Sequence, residues 1–130
     1  MSSELPLSVR SLARTVAMPP AGPNWTSKIV AGLAALREEM RAHVRDTEGP
    51  SGTYAKVLRD APRLAPGIQA LVDDHRAILA ALEATPPAEP VDVDRLRAWA
   101  DEIVEDISSH RQRGANLIYE AYLTDLGEPG

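Results

Sequence analysis

The chain has 130 residues, of which 44% are hydrophobic and 25% are charged, and its net charge at pH 7 is −5. That length suits one domain built around one hydrophobic core. The acidic balance, without any basic stripe, argues against a nucleic-acid ligand. Because the chain has no cysteine, disulfides, thiolate metal sites and thiol nucleophiles are excluded.

Prolines and glycines divide the chain into helical segments, since proline removes a backbone donor and restricts the residue before it. The first segment is short: apolar residues recur at helical spacing over residues 8–17. The first long helix is predicted over residues 25–48, with Thr26 or Ser27 as its N-cap. The chain therefore begins with a short helical element followed by a long helix.

The middle of the chain predicts a short helix and then a second long one. Residues 53–60, "TYAKVLRD", have the composition for about two helical turns. The second long helix ends near Ala84 and begins either at Asp60, with a kink at Pro66, or at Pro66 itself. The pattern leaves both starts open.

The third long helix begins after Asp92 or Asp94, either of which is a good N-cap, and extends to about Leu126. Gly114 is costly inside a helix, so it either permits close approach of another backbone or of a ligand, or ends the helix. No alternating strand pattern occurs. The sequence thus predicts an all-α fold: an antiparallel bundle of three long helices plus a short N-terminal element.

The predicted organisation is an N-terminal arm with a short helix over residues 1–23, a helical bundle over 24–126 and a tail over 127–130. No apolar run approaches the ~20 residues of a membrane span. The N-terminal residues also lack the basic segment followed by an apolar run that marks a secretory signal. We therefore expect a cytoplasmic protein with no membrane partner.

Each long helix carries one histidine on its inward, apolar stripe: His43, His75 and His110, the only histidines of the chain. A single inward histidine usually meets a carbonyl or carboxylate in the core. Three together are costly to bury unless they share a proton network or a metal. The remaining inward residues form the predicted core: Ile29, Leu33, Leu36, Met40, Leu71, Ile78, Leu82, Leu96, Trp99, Ile103, Ile107 and Leu117.

Three imidazoles can hold one divalent ion, iron or zinc, with a water or a carboxylate as the fourth ligand. Acids close to the histidines in sequence are candidates for that ligand, or for the acceptor that orients an imidazole ring. Alternatively, each acid is solvated or pairs with a nearby arginine. The candidate acids are Glu39, Asp46, Glu48 and Asp106.

Three motifs make residues 25–126 resemble the hemerythrin-like (HHE cation-binding) four-helix bundles. In that family one helix carries H-x-x-x-E-E, the next an E-H near an apolar run, and the last another H-x-x-x-E-E before an aromatic-containing segment. The segments "LREEMRAHVRDTEG", "LVDDHRAILAAL" and "SSHRQRGANLIYEAY" are similar to these in turn. The resemblance implies an up-and-down bundle whose metal ligands include His43, His75 and His110.

The chain departs from the family pattern at the bridging ligands. The carboxylate expected four residues after the first histidine is Thr47, and the one after the last histidine is Gly114. A second histidine in the middle motif would fall at Leu79. We therefore expect no di-iron centre. A ferritin-like site is also excluded, because the chain has no E-x-x-H pair.

The sequence leaves three functions open. The first is a bundle with a reduced three-histidine site, non-enzymatic and binding at most one metal ion. The second is a metal-free structural or protein-interaction module, which the missing carboxylates favour. The third is a metal- or oxygen-linked redox sensor. No pattern of catalytic residues stands out, so we do not predict an enzyme.

A protein partner is also predicted. The family's first long helix is replaced by a short element, so the bundle should leave an apolar groove partly open unless residues 5–17 cover it. Apolar groups left exposed there would favour a homodimer or a partner helix.

Overall fold

A computed structural model describes residues 7–19, 23–84 and 92–124 of the chain. All of its regular structure in these ranges is helical, which confirms the all-α prediction. The elements are α1 (Leu7–Ala17), α2 (Pro23–Glu48), α3 (Thr53–Asp60), a 3₁₀ turn (Pro62–Leu64), α4 (Ala65–Glu83) and α5 (Val93–Ile118), which continues as a π-helical turn (Tyr119–Thr124).

The predicted N-cap of the first long helix is wrong. α2 begins at Pro23, so Thr26 and Ser27 lie inside the helix. The physical reason is that proline fits the first helical position, where its fixed φ is already helical and its missing N–H is not needed. Pro23, which lay just outside the predicted helix, therefore starts it.

The second long helix begins at neither of the two predicted residues. α4 starts at Ala65, after the 3₁₀ turn, and Pro66 lies within its first turn. Proline is tolerated there because the first N–H groups of a helix have no partner within the helix. Asp60 instead ends α3.

The N-cap of α5 is Asp92, one of the two residues that the sequence offered. The Asp92 carboxylate accepts hydrogen bonds from the backbone N–H groups of Asp94 and Arg95, at 3.1 and 3.2 Å. Its predicted end at Leu126 lies outside the described residues. Gly114 does not end the helix, and a Cβ atom built there would meet nothing within 4 Å. The predictions of close backbone approach and of a helix end at this glycine are therefore wrong.

The buried residues form two hydrophobic clusters. The first joins α1, α2, α4 and α5, and the second joins α3, α4 and the end of α5. All predicted core residues are buried except Trp99, which is half-buried and packs against the first cluster. The inward seam of α5 runs instead through Leu96, Ala100, Ile103 and Ile107, so Trp99 lies on its flank.

α1 packs against both α2 and α5. Its apolar residues Val9, Leu12 and Val16 are almost completely buried. The Trp25 indole N–H donates a hydrogen bond to the Thr15 carbonyl at 2.8 Å. This bond links α1 to the start of α2. α1 therefore covers the apolar faces of α2 and α5, as we expected if residues 5–17 closed the groove. A homodimer or partner helix stays a prediction.

α4 packs against both α2 and α5, and α2 also contacts α5, so side chains from the three long helices can meet. The division into arm, bundle and tail stays a prediction, and residues 127–130 lie outside the described part of the chain. Within the ranges 7–19, 23–84 and 92–124, no helix combines the length and the apolar character needed to cross a bilayer.

Candidate metal centre

The three histidines form a polar layer between the two hydrophobic clusters. His75 and His110 are 1% and 5% exposed, and His43 is half-buried. On one side, each histidine lies about one helical turn from a residue of the first cluster: Met40, Ile78 and Ile107. On the other side are residues of the second cluster: Tyr54, Leu71 and Leu117.

The Nε2 atoms of the three histidines converge. Nε2 of His110 lies 3.1 Å from Nε2 of His75 and 3.4 Å from Nε2 of His43. The candidate donor atoms of the three histidines all lie within 4.8 Å of one another. The rings meet edge-on, at interplanar angles of 64° to 89°. These three histidines could therefore hold one metal ion.

Glu48, the last residue of α2, orients His75. Its Oε2 lies 2.5 Å from Nδ1 of His75, so the Nδ1–H group donates to the carboxylate. Because a neutral imidazole carries one hydrogen, this contact leaves Nε2 of His75 with a free lone pair. Carboxylates commonly hold metal-binding histidines in this tautomer.

Asp74 orients His110 in the same way. Its Oδ2 accepts from Nδ1 of His110 at 2.9 Å, and Arg113 donates to both carboxylate oxygens, at 3.0 and 2.6 Å. Burial would raise the pKa of Asp74, but the hydrogen bonds from Arg113 and His110 outweigh it and hold that pKa below its ordinary value. The carboxylate is thus charged and fixed in place.

Burial favours the neutral forms of His43 and His75. Burial, helped by the neighbouring His75 and His110 and opposed by Asp46, lowers the pKa of His43 to about 4. Burial also lowers the pKa of His75, although the hydrogen bond to Glu48 opposes it. Only a neutral imidazole can bind a metal ion, so this environment favours the ligand form.

Tyr54, from α3, is a site residue that the sequence did not reveal. Its hydroxyl lies 3.1 Å from Nε2 of His75, and the two rings stack with centroids 5.6 Å apart. Burial raises the pKa of Tyr54 to about 12, so the phenol keeps its proton at neutral pH. The sequence feature that could have indicated this role is a tyrosine in a two-turn helix just after the first motif.

The structure places the four candidate acids differently. Glu48 contacts His75, but at Nδ1, away from the point where the Nε2 atoms converge. Asp46 is exposed and acts on His43 only electrostatically. Glu39 and Asp106 are exposed. Glu48 thus orients His75, and Asp74, which was not among the candidates, orients His110.

Comparisons with protein-family models, with curated proteins and with solved structures found no match to this chain. The resemblance to the hemerythrin-like family therefore rests on the three short motifs. Any function of the site is therefore inferred from its geometry.

Proposed function

We propose that the protein is a non-enzymatic helical bundle that binds one divalent metal ion through Nε2 of His43, His75 and His110. One observation carries this proposal. The Nε2 atoms of His75 and His110 face each other at 3.1 Å, while both Nδ1–H groups donate to carboxylates. The lone pairs of two neutral nitrogen acceptors at that distance repel each other. A cation between them would accept both lone pairs as metal–ligand bonds.

The distances support an ion of first-row size. A Zn–N bond of about 2.0–2.1 Å in a tetrahedral site places ligand nitrogens about 3.3–3.4 Å apart. The two Nε2 separations measured from His110 are 3.1 and 3.4 Å. The candidate donor atoms of all three histidines lie within 4.8 Å of one another.

The ligand chemistry is compatible with zinc or iron. Imidazole suits zinc, copper, iron and nickel, whereas thiolate sites are excluded by the absence of cysteine. The two carboxylates that contact the histidines, Glu48 and Asp74, are engaged with Nδ1–H groups. They are therefore not placed to bridge a second ion, and we propose a mononuclear site rather than a di-iron centre.

We further propose that the fold is a hemerythrin-like up-and-down bundle. Contacts along α4 support an antiparallel arrangement of α2 with α4 and of α4 with α5. Moving towards the C-terminus of α2 or α5, each successive contact lies closer to the N-terminus of α4. The pairs are Arg41 with Glu83 and Glu48 with His75 for α2 and α4, and Asp74 with His110 and Gly67 with Leu117 for α4 and α5. α1 takes the place of the family's first long helix.

A second function is favoured by a different observation: the three rings also have partners within the protein. The Tyr54 hydroxyl can donate to Nε2 of His75 at 3.1 Å, and the Nε2–H tautomer of His43 can donate to Nε2 of His110 at 3.4 Å. In this alternative the layer is a metal-free polar network. The protein is then a structural or interaction module.

Thermal unfolding of untagged, chelator-treated protein discriminates between the two functions. Zn²⁺ or, without oxygen, Fe²⁺ should raise the melting temperature, because the ion binds the folded state in preference to the unfolded one. His110→Ala should abolish this rise. Ile107→Ala is the matched control: it removes an equally buried side chain from the same stripe, so it should lower the melting temperature yet keep the ion-dependent rise.

Equilibrium dialysis with metal analysis should give close to one ion per wild-type chain. If neither ion binds or raises the wild-type melting temperature, the metal-free alternative replaces the proposal.

A further inference from the structure

α3 brings one polar group to the point where the histidines converge. α3 packs against α2 and α4, and its Tyr54 is only 7% exposed. The Tyr54 hydroxyl lies 3.1 Å from Nε2 of His75, the atom that would bind the ion. It therefore lies at the edge of the proposed coordination sphere.

The hydrogen bond of this hydroxyl must change when an ion binds. Because Glu48 takes the Nδ1–H of His75, Nε2 has a lone pair that accepts from Tyr54 in the metal-free protein. An ion on Nε2 uses that lone pair, and the buried hydroxyl then needs another acceptor. One is the Thr47 hydroxyl, which lies within hydrogen-bonding reach of Tyr54 and donates its own hydrogen to the His43 carbonyl at 2.8 Å. The other is a fourth ligand on the ion.

The charges of the site favour an anionic fourth ligand. Three neutral imidazoles leave the charge of a divalent ion unchanged. The carboxylates of Glu48 and Asp74 compensate it, but Arg113 pairs with Asp74 and restores one positive charge. Asp46 is exposed and its charge is screened by solvent, whereas Arg113, although also exposed, is in direct contact with the Asp74 carboxylate at 2.6 Å. One uncompensated positive charge in a layer flanked by hydrophobic clusters is best balanced by a monoanion.

Taking the proposed metal site as its basis, we propose that the ion binds a small monoanion as its fourth ligand and that the Tyr54 hydroxyl donates a hydrogen bond to it. Tyr54 then selects ligands that combine a negative charge with a strong hydrogen-bond acceptor atom. Hydroxide and cyanate have this chemistry.

Cyanate binding to the Co²⁺-loaded protein tests the inference, since the visible spectrum of Co²⁺ reports on its ligands. Tyr54→Phe should weaken cyanate binding about tenfold or more, as expected for a lost hydrogen bond to a charged acceptor. Co²⁺ stoichiometry should stay at one. Tyr122→Phe is the matched control: it deletes the same hydroxyl where it donates to Asp60 at 2.9 Å, and it should leave cyanate affinity unchanged.

A second readout needs no change at Tyr54. In the Tyr122→Phe protein, cyanate binding should perturb the near-ultraviolet absorption of a buried tyrosine, so the inference stays testable if Tyr54→Phe does not fold. Equal cyanate affinity with and without the Tyr54 hydroxyl, or no such perturbation, would overturn the inference and leave the metal site standing. A tyrosinate-to-metal charge-transfer band after Cu²⁺ loading would overturn it by making Tyr54 itself a ligand. Absence of Co²⁺ binding in the wild type would overturn the metal site as well.

Discussion

His75 and His110 present their Nε2 atoms to each other at 3.1 Å in the interior of the protein. Each ring has its Nδ1–H group committed to a carboxylate, Glu48 for His75 and Asp74 for His110. In their neutral forms the two facing nitrogens therefore have lone pairs and no hydrogen between them. Such an arrangement is unfavourable where solvent is excluded, and it is suited to a cation.

The first prediction concerns the carboxylate that orients His110. Asp74→Asn should weaken Zn²⁺ binding by about 10–100-fold, since it removes the charge that holds the Nδ1–H group and pairs with Arg113. Competition with a chelating dye measures this affinity. Asp73→Asn is the matched control: it changes an exposed neighbour that accepts from Gln69 and should have little effect. Equal affinities in the two variants would show that Asp74 does not support a metal ligand.

A second prediction concerns the pH dependence of the metal-free protein. Burial, together with His75 and His110, lowers the pKa of His43 from 6.5 to about 4, with exposed Asp46 opposing. Since the folded state then binds fewer protons than the unfolded state, stability is fully present above pH 6.5 and is lost as the pH falls towards 4. The lowered pKa of His75 acts in the same direction. The lowered pKa of Asp74 affects stability only at more acidic pH, below 3.8.

Urea unfolding with a chelator present, at pH values from 7 to about 4.5, measures this dependence. His43→Gln should reduce this dependence, because one of the two titrating rings is gone. A wild-type stability that stays constant over this range, or a variant with the same slope as the wild type, would contradict the prediction.

The helices and the histidine layer could be predicted from the sequence because both depend on local periodicity. Proline and glycine mark the loops, and residues spaced three and four apart define the inward stripes on which His43, His75 and His110 lie. The N-cap at Asp92 is likewise a local signal. The start of α2 was missed because Pro23 can either break a helix or begin one, and local sequence does not decide between them.

The groups around the histidines could not be predicted, because they depend on how helices pack. Asp74 directly precedes His75, so it points about 100° away from it around α4, and it meets His110 only because α5 lies on that side. Tyr54 reaches His75 because α3 packs against α2 and α4. Neither contact has a signature in sequence spacing.

The third prediction concerns Gly114, one helical turn after His110. Its Cβ would meet nothing within 4 Å, so Gly114→Ala should stabilise the metal-free protein by about 0.5–1 kcal/mol through the higher helix propensity of alanine. The contrasting variant is Gly52→Ala, whose Cβ would lie 2.7 Å from the carbonyl oxygens of Asp46 and Thr47 and should destabilise it. Urea unfolding measures the free energy of unfolding of both variants. A lower free energy of unfolding for Gly114→Ala than for the wild type would contradict the prediction.

X-ray absorption spectroscopy of the untagged protein with one equivalent of Zn²⁺ tests the three-histidine site most directly, because it reports the number, type and distance of the ligands. The proposed site predicts three imidazole nitrogens at about 2.0–2.1 Å with one further light-atom ligand, and a loss of imidazole scattering in His110→Ala. A shell of oxygen ligands with fewer than two imidazoles, or zinc that dialysis removes completely, would contradict the claim that His43, His75 and His110 hold a metal ion.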